Sequence, residues 1–260
     1  MSALSNLAQT CEHVYALVIP ILYRYDSDWW HPSALSWALF NDLPVTFRRV
    51  VDAGFDVRQQ QTTVMIKAAQ NGAERIMEIL LEEWKLSPNI FDRDDPDSRT
   101  TPLFRAISGS RHGDETVDRG HPGVVKLLLR YGANPSQACL KDDTLLHQAS
   151  NRCEVEIARS LIEAGADISA LNHRRETPLH RASSQSNVEG AKLLLDAGAQ
   201  ANTRDELGLT PLGCVVNAEW QPEKPRVALL KLLLENGASC ADEDPDTFAS
   251  LLIAAVAKSQ

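Results

Sequence analysis

Thr144, Thr177 and Thr210 stand 33 residues apart, and Gly132, Gly165 and Gly198, each followed by alanine, keep the same step. No other feature of the 260-residue sequence constrains its fold as tightly. A fixed period of this length marks an array of one supersecondary unit, in which each copy buries its apolar face on the next. The residues spell out the unit. Thr177 suits an N-cap, where its hydroxyl accepts from a free N–H of the first helical turn. Pro178 then occupies the first helical position, where a missing N–H costs nothing. After a short loop, Val188, Ala191, Leu194 and Leu195 recur at helical spacing, as do Val155, Ala158, Leu161 and Ile162 one period earlier. Gly198 and Gly165 follow at the place where a helix stops in the left-handed conformation. Each unit therefore reads helix, loop, helix, glycine stop and polar connection. Helices this short are marginal alone in water, so the copies must stack.

The run Thr177-Pro178-Leu179-His180, with Thr144-Leu145-Leu146-His147 before it and Thr210-Pro211-Leu212 after it, resembles the core of the ankyrin repeat. The resemblance implies an all-α solenoid of about six stacked helix-loop-helix repeats with short helical caps. The repeats fall at about 33–57, 60–89, 98–135, 141–168, 174–202 and 207–240, within a repeat region of 32–240. They are uneven. The first has Ser33-Ala34-Leu35-Ser36-Trp37-Ala38 in place of the motif and ends at Gly54. The second runs from Thr63, carries Gly72 in its inter-helix loop, and replaces the glycine stop by Lys85-Leu86-Ser87-Pro88-Asn89. The third regains Thr101 and Pro102, after an acidic, Pro-broken connection over 92–99, and holds ten extra residues around 108–121. Repeats four and five are regular. The sixth opens at Thr210 and Pro211, gains six residues in a loop with Trp220, Pro222 and Pro225, and stops at Gly237. Residues 241–260 read as a C-terminal capping helix, apolar from Phe248 to Val256.

Residues 1–31 depart from the period. Leu7, Val14, Leu17 and Val18 make one helical face, which Pro20 interrupts. The words Asn6 to Tyr15 and Pro20-Ile21-Leu22-Tyr23-Arg24 resemble the C-terminal half of an F-box, as in fungal F-box–ankyrin proteins. In that family the F-box docks on the Skp-type adaptor of a cullin ubiquitin ligase. Only the last half of the motif is matched, because Met1 falls inside it, so the expectation is an N-terminal helical cap over the first repeat. Trp29 and Trp30 would seal it.

Charge and cysteines narrow the partners. A formal net charge of -9 argues against nucleic acid, whose backbone requires clustered Lys and Arg. Cys11, Cys139, Cys153, Cys214 and Cys240 form an odd set without a C-x-x-C pair, as in a chain of reduced thiols. No basic segment precedes the first apolar run, and Tyr15 to Tyr23 is too short for a bilayer. The expectation is an intracellular chain, cytoplasmic or nuclear, monomeric, with no membrane partner.

Chemistry is sparse. His147 and His180 fall on the repeat period, and the resemblance gives them a structural role, tying the helix start to neighbouring turns. His112, Asp114, Glu115, Asp118 and His121 could offer metal ligands, but without i, i+4 histidines or paired cysteines they read as a solvated loop cluster. Cys153 and Cys214 sit at helix positions suited to small buried side chains. No phosphate loop or Gly-x-Ser-x-Gly is present. No enzyme, cofactor or metal is expected.

The resemblance instead implies protein binding through finger tips and inner helices, as a scaffold, adaptor or inhibitor. The matching positions are Lys141, Asp142 and Asp143, then Asn172, His173, Arg174 and Arg175, then Arg204, Asp205 and Glu206. His173-Arg174-Arg175 is the densest basic spot of an acidic chain, and arginine recognises carboxylates in planar, bidentate fashion, which points to an acidic peptide. Trp220 is a further anchor, since tryptophan is enriched at binding hot spots; its alternative is packing over the adjacent helix pair. Two other functions stay open. One is the substrate-recognition subunit of a cullin-type ubiquitin ligase, with the ligase adaptor as second partner, should the F-box be completed. The other is an enzyme or accessory protein with a small-molecule pocket between the long loops of repeats three and six.

Overall fold

The computed structural model describes residues 34–91, 100–109, 120–138, 143–152, 154–218 and 220–239. The N-terminal cap, the acidic connection, residues 110–119 of the long insertion and the C-terminal helix lie outside them. Among the described residues the chain forms twelve α-helices and no strand, with one isolated bridge between Ala138 and Thr144. Two compact units divide it, one reaching Ala133 and the other starting, apart from a short stretch at 95–99, at Asn134.

The first unit holds α1 (Ala34–Phe40), α2 (Pro44–Asp52), α3 (Gln61–Asn71), α4 (Glu74–Glu82), α5 (Pro102–Ser108) and α6 (Pro122–Arg130). They pair in sequence, α1 with α2, α3 with α4 and α5 with α6. The odd-numbered helices also stack on one another, and so do the even-numbered ones, which gives two layers. Leu39, Phe47, Met65, Ile76, Met77, Leu80, Leu103, Ile107 and Leu128 are fully buried between them. Each such side chain contributes about 1.5–3 kcal/mol of transfer free energy, which these short helices cannot gain singly.

Polar ties run between the pairs. The residue before α4 is Ala73, which has no side-chain acceptor. Asp42, in the loop of the preceding pair, supplies one instead: its two carboxylate oxygens accept from the N–H groups of Arg75 and Ile76 at 3.0 Å each. A carboxylate at a helix N-terminus also meets the positive end of the helix dipole. In the opposite direction, His121 at the start of α6 donates from Nε2 to the carbonyl of Gln70 at 2.9 Å. This histidine, grouped by the sequence with a charged loop, therefore joins the start of α6 to the C-terminal end of α3. The missing glycine stop of the second pair is explained too. Lys85 itself takes the left-handed conformation, φ 54°, and lets the N–H of Leu86 reach the carbonyl of Leu80 at 3.1 Å.

The second unit holds α7 (Leu145–Asn151), α8 (Val155–Glu163), α9 (Pro178–Ser184), α10 (Val188–Asp196), α11 (Pro211–Asn217) and α12 (Glu223–Glu235). Pairing and layering repeat as in the first unit, with α7, α9 and α11 in one layer and α8, α10 and α12 in the other. The fold is thus all-α, with paired helices packed as in an ankyrin stack. Asn187 joins neighbouring loops here, donating to the carbonyl of Ser150 at 3.1 Å while its Oδ1 caps Gly190 N–H at 2.9 Å. Cys214 on α11 is half-buried rather than enclosed, because the inner helix leaves that face open.

Gly72 and Gly165 provide a matched test. Both have positive φ, but a Cβ at Gly72 would lie 2.4 Å from the His121 ring, whereas one at Gly165 meets nothing within 4 Å. Gly165→Ala should cost about 1 kcal/mol from backbone conformation alone. Gly72→Ala should cost about 2–3 kcal/mol, because the ring must also move and give up its carbonyl. Urea denaturation monitored by circular dichroism measures the difference.

Candidate recognition surface

The connections into α9 and α11 are each a turn closed by one side chain. In the fifth repeat, Asn172 N–H donates to Glu176 O at 3.1 Å, and Asn172 Oδ1 accepts from the N–H groups of Arg174 and Glu176 at 2.9 and 3.0 Å. In the sixth, Asp205 N–H donates to Leu209 O at 2.9 Å, and Asp205 Oδ1 accepts from Leu207 and Leu209 N–H at 2.9 and 2.8 Å. Asp205 is therefore committed within its own turn. Glu206 N–H donates to Arg174 O at 2.9 Å, so the two finger tips are joined backbone to backbone.

The motif residues hold these fingers on the helices. Thr177 caps α9 and Thr210 caps α11, accepting from Gly213 N–H at 3.1 Å, with Pro178 and Pro211 next in each helix. Thr101 caps α5, followed by Pro102, by accepting from Phe104 N–H at 3.2 Å. His147 Nδ1 accepts from Thr144 N–H at 3.1 Å, which leaves the ring proton on Nε2, donated to Glu176 O at 2.9 Å. One repeat on, His180 Nδ1 accepts from Thr177 N–H at 3.1 Å and Nε2 donates to Leu209 O at 3.2 Å. Each imidazole thus fixes its own helix start to the base of the next finger. Gly132, Gly165, Gly198 and Gly237 end the outer helices with φ between 81° and 96°.

Among the residues the sequence proposes for partner contact, the structure separates three groups. Asp143 is turned inward: its carboxylate accepts from Asn172 Nδ2 at 2.8 Å and from Arg181 on α9 at 3.2 Å. Glu176 joins them, accepting from Asn172 Nδ2 at 2.8 Å and lying 3.2 Å from Arg181 Nε as an ion pair. Asp143 and Asp205 are therefore not free finger carboxylates, since the turns need acceptors for their buried donors. Asp142 and Lys141 lie outside the described residues. His173, Arg174, Arg175, Arg204 and Glu206 are exposed at the tips.

Trp220 stands elsewhere. It is 69% exposed, so it does not pack over the adjacent helix pair. It follows the C-terminal end of α11, whereas the fingers precede the N-terminal ends of α9 and α11. A seven-residue helix is about 10 Å long, so Trp220 and the basic tip lie toward opposite ends of the inner helices.

One buried cation escaped the sequence. Arg226, 7% exposed in the first turn of α12, donates from Nε to Val215 O at 3.2 Å and from Nη2 to Val216 O at 2.8 Å. It satisfies the last carbonyls of α11 and opposes the negative end of that helix dipole. The sequence places Pro225 in the long loop, but it lies in the first turn of α12, where a proline lacking N–H is tolerated, and Arg226 follows it there.

Burial holds His147 and His180 below the ordinary histidine value, against the raising effect of their bonds to Glu176 O and Leu209 O. Among the described residues no three His, Cys, Asp or Glu side chains converge to hold a metal ion, and no helix is long and apolar enough to cross a membrane.

Residues 114–205 match the family profile of ankyrin repeats, in three copies. That span includes both motif histidines and the finger of the fifth repeat. No match to the F-box accompanies it, and the segment with that resemblance lies outside the described residues. A search of curated proteins returned no match.

Two measurements follow from this geometry. With native values lowered, the unfolded chain binds more protons than the native one just below the ordinary histidine value. Urea stability should be level above about pH 6.5 and fall as pH drops through the lowered native values; replacing both His147 and His180 by Asn should flatten that slope. Arg226→Met should lower stability by about 2–3 kcal/mol, because two carbonyls at a buried helix end lose a charged donor; the same urea titration at neutral pH reads it.

Proposed function

We propose that this chain is a non-catalytic protein–protein recognition module, a scaffold, adaptor or inhibitor that engages its partner through the finger tips of the fifth and sixth repeats. One observation carries the reading. The threonines and histidines of the repeat motif are buried and hydrogen-bonded within the frame, whereas His173, Arg174, Arg175 and Glu206 extend into solvent from turns that other side chains close. A rigid frame bearing exposed, chemically varied tips suits recognition of another protein surface. Ankyrin repeats are generally protein–protein interaction modules, and the net charge of -9 favours a protein partner over nucleic acid. Arginine at a tip adds planar hydrogen bonding at an interface centre.

The test is affinity capture from the source cell with three tagged baits: the unaltered chain, Arg174→Ala with Arg175→Ala, and Trp220→Ala. A protein retained by the first and third baits and lost from the second, then reproduced with purified components, identifies the partner and the finger contact. Loss from the Trp220→Ala bait alone moves the contact to the opposite end of the inner helices. Cullin adaptor components on all three baits would replace the scaffold reading with the ligase one. Absence of any protein from all three baits would count against the module reading.

A further inference from the structure

Resting on the recognition reading, we infer that the tips of fingers five and six form one specificity site for an acidic segment with an apolar residue beside its carboxylates, and that Arg175 is its determining residue. Arg175 is held with φ 59°, in the left-handed region. The equivalent residue one repeat on is Gly208, with φ 80°. Glycine takes that conformation without a Cβ penalty, whereas a side chain such as arginine resists it. Asn172 and Asp205 close equivalent hydrogen bonds in the two fingers, and in finger six Arg204 Nη1 also donates to Gly208 O at 2.9 Å. Finger five therefore carries an arginine where its own backbone favours glycine. Lys85 shares this conformation as a helix stop, whereas the Arg175 side chain is exposed and closes no bond of its own turn, so it is left to face a partner.

The surroundings define what it meets. Asp143 and Glu176 are engaged with Asn172 and Arg181, and Asp205 accepts from backbone N–H groups of its own turn, so none of these carboxylates is spent on Arg174 or Arg175. Among the described residues the exposed acid at these two tips is Glu206, joined by its backbone to Arg174. Two leucines flank the cations: Leu207, equivalent to Arg174 in the next finger, is 83% exposed, and Leu171 is 44% exposed. Charge complementarity to Arg174 and Arg175 selects carboxylates, and the two leucines select an aliphatic or aromatic neighbour. Glu206 sets a limit, since a carboxylate placed opposite it is repelled.

The probe is a displayed library of random twelve-residue peptides, panned against the full chain, with selected sequences resynthesised for fluorescence polarisation. Peptides rich in Asp and Glu around one apolar residue should be enriched. Their affinity should fall at least about tenfold with Arg175→Gly, weaken with Leu207→Ala and with added salt, and rise with Glu206→Gln. Arg175→Gly should not lower the melting temperature, which separates a lost contact from a damaged fold. Enriched peptides that lack acids, or that bind Arg175→Gly as well as the unaltered chain, would overturn the inference while leaving the recognition reading standing. Failure to enrich any peptide over background would count against both.

Discussion

Everything in the second unit hangs on two buried imidazoles that are neutral and doubly bonded. A helix of seven residues has little stability of its own, and the turn before it has less. Tying the N–H of the cap residue and the carbonyl of the following finger to one ring fixes both at once. The ring nitrogens divide the work, Nδ1 accepting and Nε2 donating, so the arrangement depends on a single tautomer and on the absence of charge. Protonation removes the acceptor and leaves one N–H facing another. A frame built this way is sensitive to acid for a local reason, independent of net charge.

Around these knots the polar groups sort by whether the frame needs them. Asp143, Asn172, Glu176 and Asp205 satisfy turn donors or a guanidinium, and the same acceptors would otherwise be sought by type alone as contact residues. Arg226 does similar work at the far end of α11. The exposed Arg174, Arg175 and Glu206 side chains of the two tips, and Trp220 of the last long loop, stand outside these bonds.

The stacked helix pairs were legible because the period is carried by residues with strong local rules, threonine at the cap, proline after it and glycine at the stop. The second pair shows the limit of that reading. Its stop is made by Lys85, a residue with no such rule, held by packing around Leu86. His121 was read as part of a charged loop since its partner, the Gln70 carbonyl, lies 51 residues away. Asp143 was legible as a finger residue but not as an acceptor for Asn172 and Arg181, because those partners come from the adjacent repeat, whereas Asp205 turns back on its own finger. Trp220 was correctly placed in a loop. The end it occupies followed only from the direction of α11.

The cap that α4 receives from Asp42 has a consequence for how such a chain can vary. A helix that draws its N-terminal acceptor from the preceding pair is not a self-contained cassette. Moving the second pair elsewhere in an array, or placing a different pair ahead of it, strips two N–H groups of their acceptor. Duplication and shuffling, which repeat architectures otherwise tolerate well, are therefore constrained at this junction by a single carboxylate, and the order of the first two pairs is written into their chemistry.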